Sequence, residues 1–290
     1  SSEFPMLKNV YIFGIGMMGG SIAKALKKSK LAKKIYATDI NPKVLEYAKT
    51  KKIINDFDYR SYEFLGEADL IIISSPMLAY EGIFKIIDNY CKEKCIVTDI
   101  GSTKKDCMKI IKKYSSLSKR FIGSHPLTGK EKSTIKNSDA DIFNDQYVLL
   151  CPSLNSSKNA EVVVKNFWRS LGCKSLVISA SHHDRILSKT SHLPHIVSYL
   201  LVNMILKDRI IDNLEFYTGG GFRDLARLAQ SDSKMWSDII STNKVNLMAS
   251  IDKFILELTK FKKNINNRKA NDIEKYIKSL KYHPKKRKNA

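Results

Sequence analysis

Four of the six histidines in this chain, His182, His183, His192 and His195, fall within fourteen positions, as HHD at 182–184 and SHLPH at 191–195. Histidine titrates near neutrality and is the commonest metal ligand, so such a cluster can be a metal site, an acid–base centre or a ligand-contacting wall. Three other stretches carry polar groups that ordinary core or loop sequence does not need. TDIGSTKKD, 98–106, holds Ser102 and Lys104. GSHPLTGKEKS, 123–133, holds His125, Thr128, Gly129 and Glu131. YTGGGFRDLARLAQSDSKMW, 217–236, contains Gly220 and places Arg223 and Arg227 one helical turn apart on a shared face.

A fourth pattern concerns phosphate. VYIFGIGMMGGS sets Gly14, Gly16 and Gly19 in GxGxxG spacing, directly after an apolar β-type run and directly before a helical one, with Met17 and Met18 at the helix start. The first glycine permits a tight turn, the second lets a pyrophosphate approach the backbone, and the third lets helix and strand pack closely. The anion then rests on the free N–H groups of the helix N-terminus. The next β-run ends in Asp39, where a carboxylate can accept hydrogen bonds from both ribose hydroxyls of an adenosine and repel a 2′-phosphate, favouring NAD over NADP. The turn with Ser75 and Pro76 follows a later strand and belongs on the nicotinamide side of the same edge.

Those residues need a scaffold, and the periodicity supplies one. KNVYIFGIG, KIYATD, ADLIIISS, KCIVTDIG, RFIGSHP, QYVLLCP and KSLVIS read as strands, with amphipathic stretches such as SIAKALKKSK, NPKVLEYAKTK and NAEVVVKNFWRSLG between them. Alternation of this kind predicts an α/β domain of Rossmann type with a mainly parallel sheet over residues 6–180. After about residue 180, helical periodicity takes over, predicting an all-helical second domain over 181–290. Its apolar stripes need a partner surface, which makes it a dimerisation unit.

Bulk properties narrow the classes. The chain has 290 residues, hydrophobic content of 43% and no run of eighteen apolar residues, so a folded, cytoplasmic protein without a membrane span is expected. SSEFP before Met6 reads as a vector-derived leader. The five cysteines are odd in number and scattered, and no second pair completes a zinc site around Cys91 and Cys95, so free thiols are expected. The net charge of +21 is spread as lysine pairs, with only KYHPKKRKNA concentrated, which suits solvated helix faces better than a nucleic-acid partner.

Taken in order, GIGMMGGS, DIGSTK, HPLTGKEKS, SHLPH and GGGFRDLAR followed by SDSKMW resemble the prephenate dehydrogenases over nearly all of residues 7–260. The resemblance implies a dinucleotide-binding N-terminal domain, a helical dimerising C-terminal domain, and oxidative decarboxylation of prephenate by NAD to 4-hydroxyphenylpyruvate. It implies that His125 is catalytic, with Ser102 orienting the substrate hydroxyl or the histidine, and that Arg227 binds a substrate carboxylate with Glu131 as its gating partner. Arg223 and Lys104 are weaker candidates for a carboxylate. Ser191 and His195 would face the pocket, His192 would pack, and HHD would mark a helix start, with Asp184 or His183 serving free N–H groups there. Trp236 reads as a packing anchor. No metal is implied. Arogenate, the amino analogue of prephenate, is an alternative substrate that these motifs do not separate. A β-hydroxyacid dehydrogenase would want a catalytic lysine in place of HPLTG and SHLPH, and a dinucleotide-sensing regulator would leave the histidines and arginines unexplained. No room is expected for a fused mutase or a regulatory domain.

Overall fold

The computed structural model describes residues 7–130 and 132–284. The first part of the chain runs β1 (Leu7–Phe13), α1 (Met17–Ser29), β2 (Ala32–Thr38), α2 (Pro42–Thr50), β3 (Asp56–Asp58), β4 (Leu70–Ile73), α3 (Tyr80–Tyr90), β5 (Ile96–Asp99), α4 (Lys105–Ile111), α5 (Ser115–Ser118), β6 (Phe121–Pro126), β7 (Tyr147–Pro152), α6 (Lys158–Ser170) and β8 (Lys174–Val177). The strands form one sheet in the order β3-β2-β1-β4-β5-β6-β7-β8. All neighbours are parallel except β6 and β7, which pair antiparallel.

Both faces of this sheet are covered, as the apolar runs require. Val10 and Ile12 of β1 pack towards α1, α2 and α6, whereas Tyr11 and Phe13 pack towards α3 and α4, and all four are buried. Parallel strands buried on both faces read as continuous hydrophobic runs, which is why LIII and NVYIF are legible as strands. β3 was not expected from the sequence. Its three residues, DFD, lack apolar alternation, and they are held by backbone pairing to Tyr36–Thr38 while buried Asp58 accepts hydrogen bonds from the Tyr11 hydroxyl and the Leu65 N–H.

The second part is helical: α7 (Ala180–Leu187), α8 (Leu193–Leu206), α9 (Gly220–Leu228), α10 (Ser233–Thr242), α11 (Lys244–Asn266) and α12 (Ala270–Leu280). A π-helical turn, Ser188–His192, joins α7 to α8. Pro194 explains it: a proline there has no N–H for the carbonyl four residues back, and its ring would collide with that carbonyl, so the turn widens. α8 is apolar around most of its circumference, yet only Ser198 on it is buried, and Leu200, Met204 and Leu206 are exposed. On α11, Val245, Met248, Ile255, Leu256 and Leu258 are exposed as well. No helix among the described residues is long and apolar enough to cross a membrane.

Candidate active site

In a parallel sheet the loops that follow the strands collect at one edge, and the candidate residues arrive there. Gly14 adopts φ +84°, and a Cβ on it would lie 2.6 Å from the Ser74 carbonyl oxygen; on Gly19 a Cβ would lie 2.1 Å from the Gly14 carbonyl oxygen. The turn after β1 and the first turn of α1 therefore accept only glycine at positions 14 and 19. Asp39, just past β2, accepts the Ile15 N–H on one carboxylate oxygen at 3.0 Å and the Asn41 N–H on the other at 2.9 Å. These bonds fix the carboxylate beside the glycine loop while leaving further lone pairs for ribose hydroxyls. Ser75 and Pro76 follow β4, and the Ser74 and Ser75 side chains approach Gly19 and Gly14. The residues present fit a bound dinucleotide. Ser133 reaches the same place: Met17 is buried and donates its N–H to the Ser133 carbonyl at 2.9 Å, while Met18 is half-buried.

One strand further on, buried Asp99 ends β5 and organises the next two loops. One oxygen accepts the Tyr80 hydroxyl at 2.7 Å, the Lys104 ammonium at 2.7 Å and the Gly101 N–H at 2.9 Å; the other accepts the Ser124 N–H at 3.0 Å. The DIGS loop is thereby tied to β6 one residue before His125. Ser124 is held on the opposite face, where its hydroxyl accepts the Trp168 indole N–H at 2.9 Å and lies 2.7 Å from the Thr98 hydroxyl. With Ser124 pinned to one face of the sheet, strand alternation turns His125 to the other. Ser102 lies on the DIGS loop, half-buried, with no hydrogen-bond partner for its hydroxyl among the described residues.

Lys104 is not the carboxylate ligand suggested from the sequence. It is fully buried, its stem passes Gly123 and its ammonium is committed to Asp99. Burial works against its charge, but the Asp99 carboxylate outweighs that and holds its pKa above the usual value.

The HHD segment also differs from its expected role. Ser179, not Asp184 or His183, caps α7, accepting the His182 N–H at 3.2 Å. Asp184 instead caps α4 across the structure, taking the Lys104 N–H at 2.8 Å and the Lys105 N–H at 2.9 Å. His183 is fully buried between Asp184, 2.8 Å from its Nδ1, and His125, whose Nδ1 lies 2.8 Å from His183 Nε2. Burial, with the His183 and Lys104 charges, holds His125 well below the usual 6.5. Burial also lowers His183, despite its bond to Asp184. His125 is therefore neutral at physiological pH.

The helical side supplies a second wall. His195 donates Nδ1–H to the Ser191 carbonyl at 2.8 Å and stacks on Trp236 with ring centroids 4.1 Å apart. Burial lowers its pKa, the bond to the Ser191 carbonyl partly offsets this, and the charge of Arg227 adds to the lowering. α9 is tied to α8 by the Ser198 hydroxyl, which donates to the Leu225 carbonyl. His192 is buried against the edge of Trp236, takes the Asn243 side-chain N–H at 3.1 Å, and is pushed down to about 4 by burial. The indole N–H of Trp236 has no partner among the described residues.

Two family models cover this chain. The model described as prephenate dehydrogenase, nucleotide-binding domain matches residues 22–177, and that described as prephenate dehydrogenase, dimerization domain matches residues 179–279. The chain belongs to the prephenate dehydrogenase family. A solved prephenate dehydrogenase from A. aeolicus, in complex with hydroxyphenyl propionate and NAD+, is 34% identical and superposes with a TM-score of 0.88 over 97% of each chain. The Bacillus subtilis prephenate dehydrogenase is 28% identical over 95% of this chain and 75% of its own length. A cyclohexadienyl dehydrogenase from Zymomonas mobilis is 29% identical over 89% and 88%.

Within this family framework the structure brings His125, His183, His192, His195, Ser191 and Trp236 together where the sheet edge meets the helical part. Arg227 and Gly220 lie further out, both exposed, with Gly220 opening α9. Glu131 lies outside the described residues. His183 and Asp184 are the residues that sequence reasoning misplaced. Their signal was available: they share the buried stripe of α7 with Leu187, and polar side chains at core positions need partners.

Proposed function

We propose that this protein is an NAD-dependent prephenate dehydrogenase that converts prephenate to 4-hydroxyphenylpyruvate and carbon dioxide in tyrosine biosynthesis. The observation that carries the reading is His125: neutral, at the same carboxyl edge of the sheet that carries the glycine loop, with Nδ1 engaged and Nε2 without a partner among the described residues. Bound at the glycine loop, NAD supplies the hydride acceptor. His125 Nε2 accepts a hydrogen bond from the ring hydroxyl of prephenate, which stabilises the positive character left on the carbinol carbon. Carbon dioxide loss returns the electron pair to the ring, which becomes a phenol, so no net proton has to leave the hydroxyl. Ser102 orients that hydroxyl from the DIGS loop.

Arg227 grips a substrate carboxylate, a task suited to a planar guanidinium with parallel donors, and Glu131 gates it. Ser191, His195 and Gly220 line the substrate side. Gly14, Gly16, Met17, Met18, Gly19, Asp39, Ser75 and Pro76 hold NAD, with Asp39 selecting against NADP. Residues 6–180 form the dinucleotide domain and 181–290 the substrate and dimerisation domain. The exposed apolar faces of α8 and α11 support a homodimer. The five free thiols fit a cytoplasmic protein. The partners are the small substrate and a second copy, not nucleic acid.

Absorbance of NADH with prephenate or arogenate, each with NAD or NADP, tests reaction, substrate and cofactor together. Prephenate with NAD should give the highest kcat/KM. No signal in any arm overturns the reading, and a clear preference for NADP overturns the role of Asp39.

A further inference from the structure

We propose that His183 and Asp184 are positioning residues that fix the tautomer of His125, so that its Nε2 is held as a lone-pair acceptor towards the substrate. The inference rests on the dehydrogenase reading for its kinetic consequences, but the hydrogen-bond chain itself does not.

The argument starts at Asp184. Both of its carboxylate oxygens already accept a backbone N–H, from Lys104 and Lys105, so the group presents only acceptors to its neighbours. His183 Nδ1, 2.8 Å from Asp184 Oδ1, must therefore carry a proton. A neutral His183 then has an unprotonated Nε2, which can only accept. The atom 2.8 Å from it is His125 Nδ1, which is therefore the protonated nitrogen of His125. That leaves the lone pair of neutral His125 on Nε2. The ring planes meet at 63° with centroids 5.0 Å apart, as a hydrogen-bonded pair requires and a stacked pair does not. Each assignment follows from the one before it, and all of them end at a carboxylate clamped by the N–H groups of Lys104 and Lys105 at the start of α4.

The chain has a second consequence. As positive character grows on the substrate carbon and the proton is shared with His125 Nε2, the imidazole gains charge. His125 Nδ1–H can pass part of that charge to His183, which is backed by the Asp184 carboxylate. The other charged or titratable groups facing the pair are Lys104 and His192, which oppose a charge on His125, and Asp99, which favours one on His183. The carboxylate is thus the counter-charge in direct hydrogen-bond contact with the chain. Had His183 carried the opposite tautomer, His125 Nε2 would be a donor and could not accept from the substrate hydroxyl.

The test uses the full-length protein with NAD and selective ¹⁵N-histidine labelling, with the His125 signals identified by their loss in His125→Asn. In the wild type at pH 7, His125 should show an N–H at Nδ1 and a pyridine-type nitrogen at Nε2. A protonated Nε2 would overturn the proposal before any variant is made. His183→Phe keeps the ring volume and removes the acceptor. It should lower kcat for prephenate by roughly 10- to 100-fold, leave KM within about threefold, and shift His125 towards the Nε2–H tautomer. His183→Gln, whose amide oxygen can accept from His125 Nδ1–H, should recover most of the loss. A folded His183→Phe protein with wild-type kcat and an unchanged tautomer overturns the proposal. If His183→Phe does not fold, the wild-type spectrum and His183→Gln still decide it, because a purely packing role predicts no rescue by an acceptor. If the wild type did not oxidise prephenate at all, the functional reading would fail while the nitrogen pattern would still test the chain.

Discussion

The two ends of the site are built on opposite principles. At the sheet end, Asp184, His183 and His125 form a hydrogen-bonded series in which His183 and Asp184 have no solvent exposure and each of their side-chain polar atoms has a designated partner, with His125 Nε2 left at its open end. At the helical end, His195 lies flat on Trp236 beside an exposed Arg227, and the Trp236 N–H has no partner among the described residues. A fully satisfied buried network fixes tautomers and orientations, because any other arrangement strands a polar group at about 1–3 kcal/mol. A half-open wall that presents an exposed guanidinium suits a ligand that brings its own acceptors. The sheet end is therefore suited to chemistry and the helical end to recognition.

That contrast breaks most sharply at His125. His125→Asn should lower kcat by at least about 100-fold, equivalent to about 2.7 kcal/mol of transition-state stabilisation, while the dissociation constant for NAD stays within about twofold. Steady-state kinetics with a separate NAD titration measures both, and near-normal turnover would remove the catalytic role of the sheet end. At the helical end the expected signature is the reverse. Arg227→Ala should raise KM for prephenate about tenfold or more and change kcat only a few-fold, since the guanidinium binds ground state and transition state alike. A loss confined to kcat would contradict the division between the two ends.

A pH titration of stability sharpens the comparison further. His125, His183, His192 and His195 all have pKa values lowered in the fold, His192 to about 4, from the usual 6.5. Between those limits the unfolded chain binds more protons than the native one. Stability is therefore full above 6.5 and is lost as pH falls below it, at up to about 1.4 kcal/mol per pH unit for each such histidine. Urea unfolding at pH 7.5, 6 and 5 should show this fall, and a flat profile would mean the histidines are protonated in the fold. Turnover at saturating prephenate should stay level through pH 6.5, because His125 remains neutral there. The smallest effect is expected from Trp236→Phe: with its N–H unpaired, the melting temperature should be unchanged or slightly higher. A loss above about 1 kcal/mol would show that the N–H meets an acceptor.

The sheet end was far more legible than the helical one. Glycine spacing, a flanking strand and helix, and a carboxylate after the next strand obey local rules, so Gly14, Gly19 and Asp39 could be placed from the sequence. Each long apolar strand could be placed as well. β3 escaped because its register comes from its neighbour's backbone, and nothing in DFD announces it. Lys104 was misjudged because a lysine in a loop is ordinarily solvated, and only the fold brings Asp99 onto its ammonium. HHD was misjudged for a related reason. An acidic residue at a helix start suggests a cap for that helix, whereas Asp184 caps one that begins 79 positions earlier in the chain.

The sequence by itself determined the class of fold and the family, and it singled out the glycine loop and His125 as candidates. Those features rest on periodicity and on short motifs whose chemistry is contained in neighbouring residues. Only the tertiary structure decided which nitrogen of His125 carries its proton, that Lys104 is a buried strut, and that Asp184 and His183 stand behind the catalytic position. Hydrogen-bond partners of buried polar groups are chosen by packing across distant segments, and local sequence carries no record of that choice.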